Sequence, residues 1–348
     1  MEGWLLVLAA VALDRLVGDP RDWLHPVVVM GWAIRRLQGL AERWAGDRPV
    51  RLRLAGGGIT LLVVGASAAA GALVEHLALA RPLALPLLVI ALASALAGRS
   101  LEQAVGAVLE ALPPAPGEPE GETLEPARRR LAWIVGRDVA GLDREEILRA
   151  AAETASENAV DGLFAPLFWM LLGALLWSLK PGTMSAGLLG PLSLAWGFKA
   201  ASTLDSMLGY RRGRLRWLGT AGARLDDLLT WLPCRLVALT LPLVSGTEAG
   251  ALQRFRRALR EGAPDPSPNA GVSQAAYALA SGLRLGGLNH YGGVARPKPL
   301  LNETGRAADE RGVARILQLS RRLTGLWLLG ALLLGVGLPP LLQGLAAR

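Results

Sequence analysis

Residues 56–80 read GGGITLLVVGASAAAGALVEHLALA. At 1.5 Å of rise per residue, an α-helix of this length is more than long enough to cross the roughly 30 Å of hydrocarbon in a bilayer. Five further apolar stretches approach or reach that length, at 82–98, 162–179, 183–198, 228–246 and 323–346. The first 17 residues are also apolar, but Met1-Glu2 is not a basic leader and Asp14-Arg15 interrupts the run, so a cleaved signal peptide is not expected. With 348 residues, 52% of them apolar, and a positive mean hydropathy, the chain is too apolar for an ordinary soluble domain. The expectation is an all-α, polytopic integral membrane protein forming a single domain over 1–348, with any site embedded in the membrane or at its surface.

The formal charge of +8 comes mostly from arginine, since Lys180, Lys199 and Lys298 are the only lysines. No nucleic-acid-binding motif accompanies this charge, and nucleic acid is not expected as a partner. Two uses of the arginines stay open: setting topology through basic cytoplasmic loops, and binding anions, for which the guanidinium fork suits phosphate and carboxylate. Cys234 is alone, which rules out an intramolecular disulfide and reads as a small buried apolar residue.

Apolar segments alternate with charged ones without an internal repeat. Residues 111–126 hold five prolines and four glutamates, the composition of a flexible exposed connection. A charged but helix-favouring stretch follows over 127–160, and a mostly polar one lies at 247–322. Pro339-Pro340 interrupts the last apolar segment. Basic residues occur in nearly every long connection, so counting them does not fix orientation.

Polar residues gather into five blocks. Asp14, Gly18-Asp19-Pro20 and His25-Pro26 predict a tight turn that presents carboxylate and imidazole after the first apolar helix. Next come Gly136-Arg137-Asp138 and then Glu153, Glu157-Asn158 and Asp161-Gly162. Spacing of four places the three carboxylates along one side of a helix, where like charges call for a cation over them. Arg149 pairing with Glu153 is one answer, and Mg²⁺ held by one or two of these oxygens is another. The third block runs from Lys199 through Ser202-Thr203-Leu204-Asp205-Ser206-Met207 to Tyr210. The fourth is Ala223-Arg224-Leu225-Asp226-Asp227, followed by Pro233-Cys234-Arg235. Asp226 and Asp227 head an apolar helix read from Leu228, which a helix dipole would favour. Arg235 falls two turns inside that segment, a position that invites either a functional partner or snorkelling to the interface. The fifth block, Ser267-Pro268-Asn269-Ala270-Gly271 with Gly286-Gly287 and Gly292-Gly293, has the small residues that let backbone N–H groups approach an anion. No phosphate-binding loop, dinucleotide fingerprint, H-E-x-x-H or G-x-S-x-G sequence is present.

Taken in order, GDP with HP, GRD, E-x-x-x-E-N-x-x-D-G before PLFW, TLDSM-x-GY, ARLDD and SPNAG resemble the adenosylcobinamide-phosphate synthase family of cobalamin biosynthesis, the CobD/CbiB family. The resemblance runs from Asp14 to about Gly293. Ser202 and Cys234 depart from the family's usual asparagine and alanine.

The resemblance implies a multi-pass inner-membrane enzyme that joins adenosylcobyric acid to an amino alcohol, usually (R)-1-amino-2-propanol O-phosphate, with ATP and Mg²⁺. Later cobamide enzymes in the same membrane are possible partners. Under it, Glu153, Glu157, Asp161, Asp205, Asp226 and Asp227 are candidate Mg²⁺ ligands. Arg137, Lys199, Arg224, Arg235 and Asn269 are candidates for substrate and phosphate binding. Asp19, His25, Glu153 or Glu157 could accept the amine's proton. A transporter, or a membrane sensor with the fold but not the chemistry, are the alternatives. For one site to form, the blocks at 136–161, 205–227 and 267–293 must share a membrane face, expected to be cytoplasmic. Residues 162–198 would then be a pair of spans turning at Lys180-Pro181-Gly182, and 228–246 would be either broken at Pro233 or re-entrant.

Overall fold

The computed structural model describes residues 2–19, 24–113, 124–178, 190–246 and 250–346. Pro20, most of the 111–126 connection and the Lys180-Pro181-Gly182 turn lie outside the described residues. In chain order the helices are α1 (Glu2–Leu16), α2 (Pro26–Ala45), α3 (Pro49–Ala80), α4 (Leu85–Ala93), α5 (Gly98–Glu110), α6 (Glu125–Ala132), α7 (Arg144–Ala159), α8 (Ala165–Ser178), α9 (Pro191–Leu208), α10 (Leu215–Leu218), α11 (Thr220–Ser245), α12 (Ala251–Gly262), α13 (Ala270–Ser281) and α14 (Glu310–Ala346). A π turn over Val160–Phe164 joins α7 to α8, and a hairpin of β1 (Leu285–Tyr291) and β2 (Val294–Leu301) precedes α14.

The protein is an all-α, multi-pass membrane protein with one small hairpin. Among the described residues three helices are long and apolar enough to cross a membrane, α3, the run Arg144–Ser178 and α11, or up to four if the bent pair Pro82–Ala93 and Gly98–Glu110 makes one span. They account for the stretches at 56–80, 162–179, 228–246 and 82–98. The stretch at 183–198 overlaps α9, whose described part begins at Pro191, and that at 323–346 is the second half of α14. Leu54, Leu61, Leu62 and Leu73 of α3 are exposed, as side chains that meet lipid should be.

Two readings of the sequence need correction. The helix read from Leu228 begins at Thr220, so Asp226 and Asp227 lie inside α11 rather than at its positive end. That helix also runs unbroken through Pro233 and Pro242, so it is not two short crossings.

The chain sorts into two compact units. The first comprises Met1–Arg99, Asp161–Thr230 and Trp327–Arg348, and the second Ser100–Val160 and Trp231–Leu326. In the first unit α9 packs on α2, α3 and α8. Small residues allow the approach: a Cβ on Gly71 would come within 2.8 Å of the Ser193 Cα, and one on Gly173 would strike Pro191. Glu75, wholly buried on α3, receives the backbone N–H groups of Leu192 and, at 3.3 Å, Ser193, so a carboxylate closes the open end of α9. Gly190 must be glycine here, since a Cβ would collide with that carboxylate. Arginines collect at the α2–α3 corner and around α10, where Arg53 and Arg216 lie over the Trp217 ring at 4.4 and 4.9 Å and Arg214 pairs with Asp47 at 2.6 Å.

In the second unit α13 is almost entirely buried and packs on α7 and α12. Gly262 and Gly271 let α12 and α13 touch at backbone distance. Tyr277 of α13 is fully buried with its hydroxyl 2.7 Å from the Ser320 hydroxyl. The hairpin was not legible as strands. Its turn is Gly292-Gly293, both at positive φ, the two-residue connection that matches strand twist, and Gly286 at φ +85 makes a bulge in β1.

The α9 cap gives a direct test. Glu75→Ala leaves two buried N–H groups without an acceptor and should cost about 1–3 kcal/mol, whereas Glu75→Gln keeps one accepting oxygen and should lose less. Unfolding midpoints of the protein in neutral detergent would check this. Unchanged midpoints for Glu75→Ala would defeat the capping role.

Candidate active site

The first unit concentrates acid around one ammonium. Lys199 comes from α9, and the charges of Asp161, Asp19, Asp226 and Asp14 act on it. Asp205 and Asp227 in turn act on Asp226. Each carboxylate has a local reason for its place. Asp161 sits in the π turn, a distortion found often at functional sites, which Gly162 eases because it resists regular helix. The Gly162 carbonyl accepts the Ala97 N–H at 2.8 Å. Asp19 follows Gly18, which at φ +71 turns the chain after α1. His25 caps α2, its Nδ1 accepting the Val27 N–H at 3.3 Å, and its Nε2 lies 3.4 Å from an Asp19 oxygen. That side-chain pair joins two of the residues expected to handle protons. Arg224 lies exposed on α11.

The donor set of this cluster is oxygen throughout, the chemistry of Mg²⁺ rather than of a soft metal. Among the described residues no three His, Cys, Asp or Glu side chains form a group that could hold a metal alone. Mg²⁺ held by one or two carboxylates with substrate phosphate and water completing its shell fits such a set.

In the second unit the charged residues are matched to one another. Glu153 is 1% exposed and accepts from Arg137, from Arg149 at 3.2 Å and from the Gly286 N–H at 2.8 Å. Arg137 and Arg149 also share the Asn289 side-chain oxygen, at 2.8 and 3.0 Å. Arg149 holds the hairpin further through the Gly286 and Leu288 carbonyls. Glu153 thus has its bonding capacity spent on the chain itself, Arg137 is tied to it and to Asn289, and the pairing of Arg149 with Glu153 expected from their spacing is present. The neighbouring Asp138 accepts the N–H groups of Gly292 and Gly293 at 2.9 and 2.7 Å. The hairpin glycines do bring N–H groups to anions, as their composition implied, but the anions are Glu153 and Asp138.

Glu157 is less committed. One oxygen accepts from Gln274 at 2.8 Å, and the charges of Lys298 and Asp265 act on it. Lys298 donates to Asp265 at 2.8 Å. Burial alone would push this ammonium down, but Asp265 outweighs it and holds the lysine above its ordinary value. Arg235 lies over the Trp231 ring at 4.8 Å, donates to the Asn269 side chain, and reaches the Pro268 carbonyl at 2.7 Å. Its position inside an apolar helix is thereby explained by the Ser267–Gly271 loop. Cys234, fully buried, gives its thiol to the Asn269 carbonyl at 3.3 Å. Gln274, Asn289 and the Asp265–Lys298 pair escaped the sequence, because nothing local marks their distant partners.

The expected residues therefore divide. Asp19, His25, Asp161, Lys199, Asp205, Asp226 and Asp227 belong to the first unit, and Arg137, Glu153, Glu157, Arg235 and Asn269 to the second.

Two outcomes follow from this division. Glu153→Ala removes the carboxylate shared by two partly buried guanidinium groups and should cost about 3–5 kcal/mol, seen as loss of folded protein after extraction, while Asp226→Asn should extract normally. Near-normal yield and melting for Glu153→Ala would refute the structural role. The Gly293 and Gly292 N–H bonds also hold the Asp138 carboxyl below the ordinary aspartate value. A lowered folded value means that the clamp's contribution is complete above the ordinary range and disappears as pH falls through the lowered one. Amide exchange at Gly292 and Gly293 should show protection that Asp138→Asn weakens at neutral pH. Unchanged exchange in that variant would count against the clamp.

The chain matches the family model described as CobD/Cbib protein over residues 7–320. It is 40% identical to the cobalamin biosynthesis protein CobD of Synechocystis sp. over 91% of this chain and 87% of that one. It is 38% identical to CobD of Geobacter metallireducens over 91% and 92%, and 35% identical to the cobalamin biosynthesis protein CbiB of Salmonella arizonae over 89% and 90%. No solved structure matches it. An apolar helical chain whose charged blocks fall inside a match covering most of its length is a member of the CobD/CbiB family of cobalamin biosynthesis proteins.

Proposed function

We propose that this protein catalyses the ATP-dependent joining of the adenosylcobyric acid carboxylate to the amine of (R)-1-amino-2-propanol O-phosphate or a related amino alcohol. The observation that carries the reading is that the charges of Asp161, Asp19, Asp226 and Asp14 act on Lys199 and those of Asp205 and Asp227 act in turn on Asp226. So many carboxylates around one ammonium, in an apolar protein, repel one another, and scaffolding does not need them. A cation-dependent reaction of anionic substrates does.

A carboxylate and an amine do not condense in water unaided, so the carboxylate must first become an electrophile. Transfer of the γ-phosphoryl group of ATP to it gives an acyl phosphate and ADP. The amine nitrogen then attacks the carbonyl carbon, the bond to the phosphate oxygen breaks, and the amine proton leaves to a base. The products are the amide, ADP and inorganic phosphate. Asp205, Asp226 and Asp227 are the residues suited to hold Mg²⁺, which when bound would offset the charge on the transferring phosphoryl group. Lys199 supplies the amino group placed to meet a phosphate oxygen. The Asp19–His25 pair supplies a proton acceptor whose imidazole is already oriented by its bond to the α2 backbone. Glu157, with one oxygen bonded to Gln274, is a second candidate base.

Supply of ATP puts this chemistry on the cytoplasmic side of the inner membrane. The arginines at the α2–α3 corner and around α10 support that orientation, because basic ends are retained in the cytoplasm. Adenosylcobyric acid and the amine phosphate are the substrates, and later cobamide enzymes in the same bilayer are natural partners.

Purified protein in detergent, given adenosylcobyric acid, Mg-ATP and the amine phosphate, should form a corrinoid amide detectable by mass, with ADP released only when both acceptors are present. Chelation of Mg²⁺ should abolish the product. Asp226→Asn, Asp227→Asn and Lys199→Met should each lower turnover by about 10²-fold or more without loss of folded protein. Full activity in chelator, or near-normal rates in all three variants, would overturn the reading. Sidedness has its own test: Arg129→Cys, Arg212→Cys and Arg260→Cys, each in a Cys234→Ala background, should react with an impermeant thiol reagent only from the cytoplasmic side.

A further inference from the structure

The second unit contains a basic pocket that none of the chemistry above uses. It has a volume of about 430 Å³ and lies between α12, the end of α13 and the loop after β2, with Arg254, Arg257, Asn302, Thr304 and Arg306 in its wall. We propose that this pocket binds the phosphate group of a phosphate-bearing ligand, at a site separate from the Lys199 cluster.

The first support is the charge on its wall. Arg254 and Arg257 stand three residues apart on one helix, a spacing at which side chains are neighbours and like charges repel. Arg257 is partly offset, since its Nε donates to Glu261 at 2.6 Å and its Nη2 to the Asn302 oxygen at 3.2 Å. The second oxygen of Glu261 is spent on the Asn302 N–H at 2.7 Å. Arg306 donates to Asp309, whose other oxygen caps the Gly312 N–H at 2.7 Å. Arg254 has no carboxylate within ion-pair distance among the described residues, and its one hydrogen bond is a long 3.4 Å contact with the Leu279 carbonyl. Burial and the charge of Arg257 both push its guanidinium below the ordinary value. An anion seated between the two guanidiniums would relieve both effects.

The second support is that the wall is built rather than incidental. Asn302 takes a left-handed backbone at φ +50, a strained choice for a residue with a side chain, and its amide nitrogen is fixed by the Ala278 and Leu283 carbonyls at 3.3 and 2.9 Å. Gly305 follows where a Cβ would strike Asn302 and Leu283. Arg306 is then tied by its backbone to Gly282 and Arg284, at 3.1 and 2.7 Å. Strain and close packing are thus concentrated in the segment that brings the third guanidinium to the pocket.

The third support is what the wall lacks. Leu279 is its one large apolar side chain and it has no aromatic ring, so a base or a corrin ring would find no surface on which to stack. Phosphate is the group that forked guanidinium donors recognise and that needs no such surface. It could come from a soluble phosphomonoester or from the headgroup of an anionic lipid.

The test uses the whole protein in neutral detergent without corrinoid or ATP and reads binding; because O-phosphoethanolamine is also an amino-alcohol phosphate of the ligase's substrate class, the pocket is judged by the Arg254 and Arg306 variants, which leave the Lys199 cluster intact. Titrants are O-phosphoethanolamine, with ethanolamine as its phosphate-free control, and dihexanoyl phosphatidylglycerol, with dihexanoyl phosphatidylcholine as its control. At least one phosphate titrant should bind saturably, and Arg254→Gln and Arg306→Gln should each weaken that binding tenfold or more. Arg254→Lys should recover part of the loss, and Arg129→Gln, outside the pocket wall, should leave binding unchanged. Melting midpoints of the variants separate weakened binding from unfolding. Binding of O-phosphoethanolamine alone identifies a soluble ester as the ligand class, and binding of the anionic lipid alone identifies a headgroup. The proposal is overturned if neither binds, if ethanolamine binds as tightly as its phosphate, or if folded Arg254→Gln and Arg306→Gln bind as well as the unaltered protein.

Discussion

A carboxylate taken away from water must be given donors, and in this protein the clearest case is Glu153. Its oxygens receive two guanidinium groups and a backbone N–H, and those three donors come from the loop before α7, from α7 itself and from the bulge of β1. The ion pairs are not in themselves a large source of stability, because desolvating three charges costs about as much as their attraction returns. Their effect is on specificity. Only one arrangement of loop, helix and hairpin satisfies all the donors at once, and Asp138 repeats the principle at the hairpin tip. The hairpin of a two-stranded sheet is marginal by itself. Here it is fastened at its base and at its turn by carboxylates that precede it by more than a hundred residues.

The same accounting separates residues that serve the fold from those that remain for chemistry. Glu153 is saturated by neighbours, and Arg137 is held by Glu153 and Asn289. The Lys199 cluster is different, with like charges pressed together and one ammonium among them. Two motif blocks of the family are therefore explained by architecture, and the remaining acidic blocks carry the argument for catalysis.

The long apolar helices were legible because a bilayer imposes a length and a composition that nothing else in the sequence imitates. Local pairings were legible too, as with Arg149 and Glu153 at helical spacing. Three kinds of feature were not. Helix starts were misplaced where weak helix formers precede an apolar run and the helix extends through them all the same, as at Thr220–Asp227. The hairpin was hidden because its strands hold two glycines and two prolines, residues that argue against strands when no partner is visible. Arg254, Arg257 and Arg306 looked like solvated charge because Asn302 and Gly305, which bring the third of them to the pocket, have no meaning until the loop is seen.

Glu75 has a consequence for how the chain is made. Its acceptor role depends on Leu192, 117 residues further along. At roughly 5–20 residues per second, a ribosome needs about 6–23 s to supply that partner. For that interval α3 has left the ribosome with a carboxyl group that no protein donor from α9 can reach. A bare carboxylate in hydrocarbon is too costly to persist. Insertion of α3 must therefore wait on water retained by the insertion machinery, or proceed with a proton on the carboxyl group. The order of synthesis makes this helix enter the membrane in a provisional state, completed only by a segment not yet translated.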